Sequence, residues 1–302
     1  MKQLWLILLG TIFLFAQQIT VKETIALTTP QEGAFSHPIV SPEGKVFFTQ
    51  LNYQGLYYLD SGNKIITVSE EPGAGYEPEF SKDGRYVYYR PYRYENARKL
   101  SSLVKKDLIE NNQNVLIKDR RDFTSPKRLD TGAIVVDSNS EILSVDENGV
   151  NSRTDYKAVA FVDNSKISVF HKGEKKSLAP LGDGHYIWPA VSPDGNRLLF
   201  VKAGKGAFIC DLDGNIQVEL GYANAPKWSP DGNWIVYMDD KDDGHRLLES
   251  DIWIVSADGQ SRYQLTQTSD ILELYPAWGT DKNTVYSGSD SGIIYKINLE
   301  IQ

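Results

Sequence analysis

From His37 onward, short apolar and aromatic runs recur, bounded each time by Pro, Asp, Gly or Ser. Val46-Phe47-Phe48, Tyr86-Val87-Tyr88-Tyr89, Leu198-Leu199-Phe200 and Trp234-Ile235-Val236-Tyr237 are such runs, and each follows the same turn signal. The signal is clearest as Ser192-Pro193-Asp194-Gly195 and Ser229-Pro230-Asp231-Gly232, with variants at Ser41-Pro42-Glu43-Gly44 and Ser81-Lys82-Asp83-Gly84. Proline presets the first turn residue, Asp bonds to nearby backbone, and Gly accepts positive φ, so each unit reads as strand, tight turn, strand. A third strand with an Asp-Gly hairpin follows, as in Ile252–Gly259, and then a polar-alternating fourth, as in Gln260–Leu265. Asp-Gly between apolar runs is a strong hairpin signal.

A four-stranded antiparallel unit of about 40 residues, repeated along the chain, predicts an all-β fold, a single β-propeller. The prolines that lead the units are Pro38, Pro78, Pro126, Pro189, Pro226 and Pro276. The gap between Pro126 and Pro189 is too long for one blade. Within it, Thr154–Phe161 aligns with Pro193–Phe200, while Gly132–Val136 and Ile142–Val145 belong to a worn unit led by Pro126. This count favours seven blades over six with a large insertion, with Val150–Tyr156 serving one worn unit or the other. The first alternating segment, Ile19–Thr28, ends in Leu27-Thr28 as a later repeat ends in Leu265-Thr266. It is expected to complete the last blade and so close the ring.

These repeats carry a recognisable signature: Pro, two residues, Ser-Pro-Asp-Gly, an aromatic-apolar strand, then Asp251-Ile252-Trp253-Ile254-Val255 and a closing Leu265-Thr266. The pattern resembles the TolB-type, WD-like propeller repeat, and it covers essentially everything after the first residues. The resemblance implies the propeller fold. TolB proteins carry an α/β domain before their propeller, whereas here the repeats follow the leader directly.

The leader itself is Lys2 followed by the apolar run Leu4–Phe15 and small Ala16. The run is short for a membrane span and fits a signal peptide over residues 1–16, with residues 17–302 as one propeller domain. An uncleaved anchor is the alternative. No cysteine stands near the cleavage site for lipidation, and Cys210 is the chain's sole cysteine, so no internal disulfide forms. Export without disulfides points to a bacterial periplasm or the cell exterior, with no transmembrane anchor after cleavage. A net charge of −8 and a pI of about 5.1 argue against nucleic-acid partners.

Candidate chemistry gathers at the residue before each leading proline: His37, Glu77, Ser125, Trp188, Ala225 and Tyr275. On a propeller such positions crowd one mouth of the central channel. An imidazole, a carboxylate and aromatic faces there suit a polar ligand such as a sugar or peptide; ordinary loop residues shielding strand ends are the plainer alternative. A second candidate is the insertion Arg90–Lys99, where Tyr92 and Arg93 offer a stacking plane and a cationic fork to an acidic partner, or else cap a solvated hairpin. The acidic loop Asp239–His245 fails the EF-hand pattern, because Lys241 and Ser250 stand where ligands are required. The four histidines have no zinc spacing, and no phosphate-binding loop opens a helix, so no metal and no cofactor are expected.

The function these features predict is a non-enzymatic binding platform for an envelope protein or glycan. The alternative is a lyase or hydrolase at the channel mouth, with His37 and Glu77 as its acid–base pair.

Overall fold

The computed structural model describes residues 18–121, 123–129, 132, 134–138, 141–146, 149–151 and 158–301. The expected signal peptide, residues 1–16, lies outside the described residues, as does the part of Val150–Tyr156 beyond Asn151. Apart from a three-residue helical turn at Leu51–Tyr53, the regular elements among the described residues are β-strands.

The strands form small antiparallel sheets in which sequence neighbours are spatial neighbours, with exceptions in the second blade and in the sixth, where the first described strand joins the last. The first blade is Phe35–Val40, Val46–Gln50, Gln54–Leu59 and Ile65–Pro72. The second is Glu79–Phe80, Tyr86–Tyr89, Arg98–Asp107 and Gln113–Arg120, with the short Tyr92–Glu95 folded back on Arg98–Asp107. The third is Lys127–Arg128, Ile134–Ser138, Glu141–Asp146 and Gly149–Asn151. The fourth runs from Tyr186–Val191 to Ile216–Gly221, and the fifth from Asn224–Trp228 to Arg262–Gln264. Glu273–Trp278, Thr284–Ser289 and Tyr295–Ile301 make the sixth together with Ile19–Ala26.

The expectation of seven four-stranded blades is corrected here: among the described residues there are six blades of four strands. Gly149–Asn151 pairs with Glu141–Asp146 and so completes the third blade. A strand can fill only one such place. The sheet that follows, Val159–Asp163, Lys166–His171 and Glu174–Leu178, therefore has three strands among the described residues. It packs Phe161 and Phe170 towards Leu129 on one side, and Ile167 and Val169 towards Leu198 and Phe200 on the other.

The recurring turn explains why the units repeat. In the fourth blade Ser192 Oγ donates to Asp194 and accepts from the Arg197 amide at 2.9 Å, while the Gly195 amide donates to Ser192 O at 2.8 Å. Ser229, Asp231 and Trp234 repeat this in the fifth blade, and Ser81, Asp83 and Tyr86 in the second. Each of these Ser-x-Asp-Gly turns thus satisfies much of its own backbone from within.

Between blades, apolar faces meet. Trp234, Val236, Ile252 and Ile254 of the fifth pack with Trp278, Val285 and Ile297 of the sixth. Two tryptophans two places after a leading proline also bond across the seam: Trp228 Nε1 donates to Ala190 O at 3.1 Å, and Trp278 Nε1 to Lys227 O at 3.1 Å. Cys210 is buried in this packing, and burial pushes its thiol pKa up to about 12, which leaves it unreactive.

The ring closes where the chain's first described strand joins its last. Ile19–Ala26 pairs antiparallel with Tyr295–Ile301, from Ile19 opposite Ile301 to Ala26 opposite Tyr295. Beyond the strand, the Leu27 amide donates to Ile294 O at 2.7 Å, and the Ile294 amide donates to buried Thr28 Oγ1 at 2.9 Å. Gly292 sits at this seam with φ +80°, and a Cβ on it would lie 2.5 Å from Ala34 Cα. Both the conformation and the contact exclude a side chain. Gly292→Ala is therefore expected to lower stability by roughly 1–3 kcal/mol, seen as a lower urea midpoint with an unchanged slope.

Candidate binding site at the channel mouth

The site begins with a backbone irregularity. The residue before a proline normally takes an extended conformation. Here five of them are left-handed: His37 (φ 52°), Glu77 (46°), Trp188 (52°), Ala225 (46°) and Tyr275 (51°). That conformation costs a non-glycine residue roughly 1–2 kcal/mol, so five repeats of it require a consistent cause. In four inner strands the pairing register slips across this step, between Ser36 and Ile39, Ile187 and Ala190, Asn224 and Lys227, and Leu274 and Ala277. A bulge of this kind re-aims the side chain it carries.

Glu77 and Trp188 line one cavity of about 460 Å³, together with Tyr76, Arg90, Phe123 and Lys227. It shares Glu77, Lys127 and Lys227 with a larger space of about 1050 Å³ along the inner strands. His37 and Tyr275 line neither space and connect to the cavity through ring contacts. Their rings stack at 3.7 Å between centroids, and His37 also meets Tyr53 at 4.6 Å. Tyr53 meets Tyr76 edge-on at 4.8 Å. Arg90 lies 5.5 Å from the Tyr76 ring and 5.6 Å from the Phe123 ring, with Nη1 donating to Phe123 O. The result is a continuous run of ring faces from the sixth blade to the loop before the third.

The charges are set by one ion pair. Lys127 Nζ is 3.1 Å from Glu77 Oε2. That ammonium holds the Glu77 carboxyl down at about 2, against the effect of burial and with help from Lys227. Burial opposes the charge of Lys127, yet Glu77 raises its pKa overall. Burial lowers the pKa values of Lys227 and Arg90, which Glu77 only partly counters. Lys227 is reached by water along the channel but surrounded by protein, which is why desolvation dominates there. His37 falls to about 4, first through burial and then through repulsion by Lys227. Its Nδ1 is 2.8 Å from Ser36 Oγ, and its buried Nε2 has no hydrogen-bond partner. Among the described residues, no group of three or more His, Cys, Asp or Glu could hold a metal ion.

The other candidates lie apart from this cavity. Arg93 bonds Asp119 through two nitrogens at 3.1 and 3.0 Å and pairs with Glu95 at 2.7 Å, so its fork is occupied within its own blade. Tyr92 carries Lys99 over its ring at 3.9 Å. Arg90, from the same insertion, goes instead into the mouth. In the acidic hairpin, Asp242 and Asp243 accept from the loop's own amides of Gly244, His245 and Arg246.

Lys127, Lys227 and Tyr53 escaped the sequence reading. The two lysines had a signal: both stand one place after a leading proline, where the other units have Ile39, Glu79, Ala190 and Ala277. That position, like the one before the proline, faces the channel, since Ile39, Glu79, Lys127, Lys227 and Ala277 line the larger space. Tyr53 had none, because it sits in a turn with φ 58° outside the repeat pattern.

With the site described, known proteins can be set beside it. No protein-family model matches the chain, and no curated protein matches it. Solved structures do. A catalytically inactive virginiamycin B lyase from Staphylococcus aureus, with quinupristin, is similar at a TM-score of 0.63 and 16% identity, over 94% of this chain and 99% of that one. An oligogalacturonate lyase from Vibrio parahaemolyticus is similar at a TM-score of 0.59 and 12% identity, over 94% and 96%. TolB from Acinetobacter baumannii aligns with 78% of this chain and 55% of its own, at 18% identity and a TM-score of 0.49. The likeness to the two lyases shows the fold, and at such identities chemistry does not follow.

The mouth charges make stability depend on pH. The His37 pKa is about 4 in the fold against 6.5 unperturbed, so the unfolded chain takes up a proton first. The ring's contribution is whole above 6.5 and is lost as pH falls towards 4. Glu77 acts lower, its contribution being lost from 4.5 through about 2. Glu273 has the opposite sign: burial lifts it to about 7, so its contribution is present below 4.5 and lost as pH rises through 7. On acidification from pH 6.5 to 4, unfolding measurements should show His37→Asn losing less stability than the wild type, the Glu273 contribution being common to both.

Proposed function

We propose that this chain is an exported, non-enzymatic binding propeller of the bacterial cell envelope, which holds part of a protein or glycan at one mouth of its channel. The observation that carries the reading is the cavity where Glu77 and Trp188, each left-handed before a leading proline, meet Tyr76, Arg90, Phe123 and Lys227. A volume of about 460 Å³ is of the size ordinary ligand sites have. Its walls combine ring faces for stacking with charged groups for orientation. Because Trp188 and Lys227 stand on paired strands, Glu77 is held by Lys127 and Arg90 packs on the Tyr76 and Phe123 rings, binding orders little that is loose beforehand.

The electrostatics favour binding over catalysis. A general acid or base works best with a pKa near the working pH. His37 at about 4 is neutral but weakly basic, and Glu77 at about 2 is a carboxylate that keeps no proton to donate. The pair weighed as an acid–base couple is thus tuned away from neutrality on both members. Glu273, the carboxyl raised towards 7, is buried on the sixth blade, where Thr268 Oγ1 lies 3.0 and 3.1 Å from its two oxygens.

Calorimetric titration with neutral and acidic oligosaccharides and short peptides tests the reading. Trp188→Ala should weaken the best ligand by about tenfold or more, as loss of a central aromatic anchor does. Equal affinity in both proteins would place the ligand elsewhere. Export is tested separately: protein recovered from envelope fractions should begin near Gln17, and an intact Met1 on the mature protein would contradict it.

A further inference from the structure

We infer that the group held at the channel mouth is a carboxylate on an organic ligand, bound through Lys227 and Arg90. This rests on the reading of the mouth as a binding site and adds the charge class of what it binds. The chain as a whole carries a net charge of −8. The mouth cavity reverses that sign: its charged lining is Arg90, Lys127 and Lys227 against Glu77 alone. Glu77 is already taken by Lys127 at 3.1 Å. Two cations therefore face the same cavity with no carboxylate paired to either.

Neither cation is satisfied in other ways. The ammonium of Lys227 has no hydrogen bond or ion pair among the described residues, and Arg90 spends one donor on Phe123 O. Lys202 shows how this fold treats a lysine that serves structure. It is buried, with Nζ donating to the carbonyls of Leu181, Gly182 and Asp183 at 2.7, 2.9 and 2.8 Å. No such carbonyl cage surrounds the Lys227 ammonium. Burial disfavours the charge on both Lys227 and Arg90, and an anion placed between such groups offsets that penalty by charge-assisted hydrogen bonds.

The rest of the lining says what the anion is attached to. Tyr76, Phe123, Phe161 and Trp188 contribute ring surface to the same cavity. Such walls suit a carboxylate borne on a sugar ring or a peptide, where the body stacks and the acid sets the orientation. A free inorganic ion would leave these walls without a role.

The test uses the whole propeller and four probes: a uronic-acid disaccharide, its methyl ester, an acidic dipeptide and its diamide. The expected result is that at least one acid binds, that its neutral counterpart binds about tenfold or more weakly, and that Lys227→Met removes most of the difference. Lys227→Arg should retain it. The sugar and peptide arms separate the two sources of the carboxylate. Acid and neutral forms binding alike, with Trp188→Ala weakening both, would overturn the inference while leaving the mouth a binding site. No Trp188-dependent binding of any probe at millimolar concentration would overturn both. The wild-type comparison of acid with ester decides the matter even if Lys227→Met fails to fold.

Discussion

The pairing of Ile19–Ala26 with Tyr295–Ile301 is the constraint on which the disc depends. Each blade alone is a small twisted sheet with two open edges and an apolar face on either side, and such a sheet is marginal in water. The faces are covered only when blades stand around a common axis, as Trp234 and Val236 are by Trp278 and Val285. That arrangement persists only if the first and last blades cannot drift apart. Ladder bonds between strands from the two ends of the chain, continued by Leu27 and Thr28 onto Ile294, hold them together.

Closure brings the inner strands side by side, and a shared irregularity then gives them a chemical purpose. A regular strand alternates its side chains and would give the channel every second residue. The positions on either side of a leading proline are two residues apart and so share the channel-facing side, and the left-handed step before five of the six prolines re-aims the first of them. Glu77 and Lys127 meet there across two blades, and Trp188 and Lys227 join them from two more. The bulge is local strain, tolerated because the proline ring, the Ser-x-Asp-Gly turn and the inter-blade tryptophan bonds fix the backbone around it.

How much of this was legible in the chain follows from what repeats. The turn chemistry of Ser192–Gly195 and its copies, the strand order within a blade and the closing strand all come from local rules acting many times, and repetition made them readable. The number of four-stranded blades was not. Around residues 126–178 the turn residues have worn away, and whether Gly149–Asn151 belonged to the sheet before or after it is decided by pairing with Glu141–Asp146, which no local pattern encodes. The mouth was half visible. His37, Glu77, Trp188 and Tyr275 could be found by their place before proline, but the cations that set its sign stand elsewhere. Arg90 arrives from a long insertion, and Lys227 was legible only by comparing the next position across repeats. Arg93 misled for a simpler reason: its partner Asp119 is on Gln113–Arg120, across Arg98–Asp107 in the same blade, and sequence spacing does not reveal that the fork is already filled.

The seam has a consequence for how the molecule is made. Ile294 and Thr28 are separated by 266 positions, and the first strand leaves the ribosome long before its partner exists. Contacts of such long sequence separation form slowly, and an unpaired strand edge is a template for pairing with another chain. The nascent propeller must therefore complete its remaining blades while one edge stays open. The charged residues Lys22 and Glu23, exposed in the middle of that waiting strand, are the kind of side chain that discourages a premature partner.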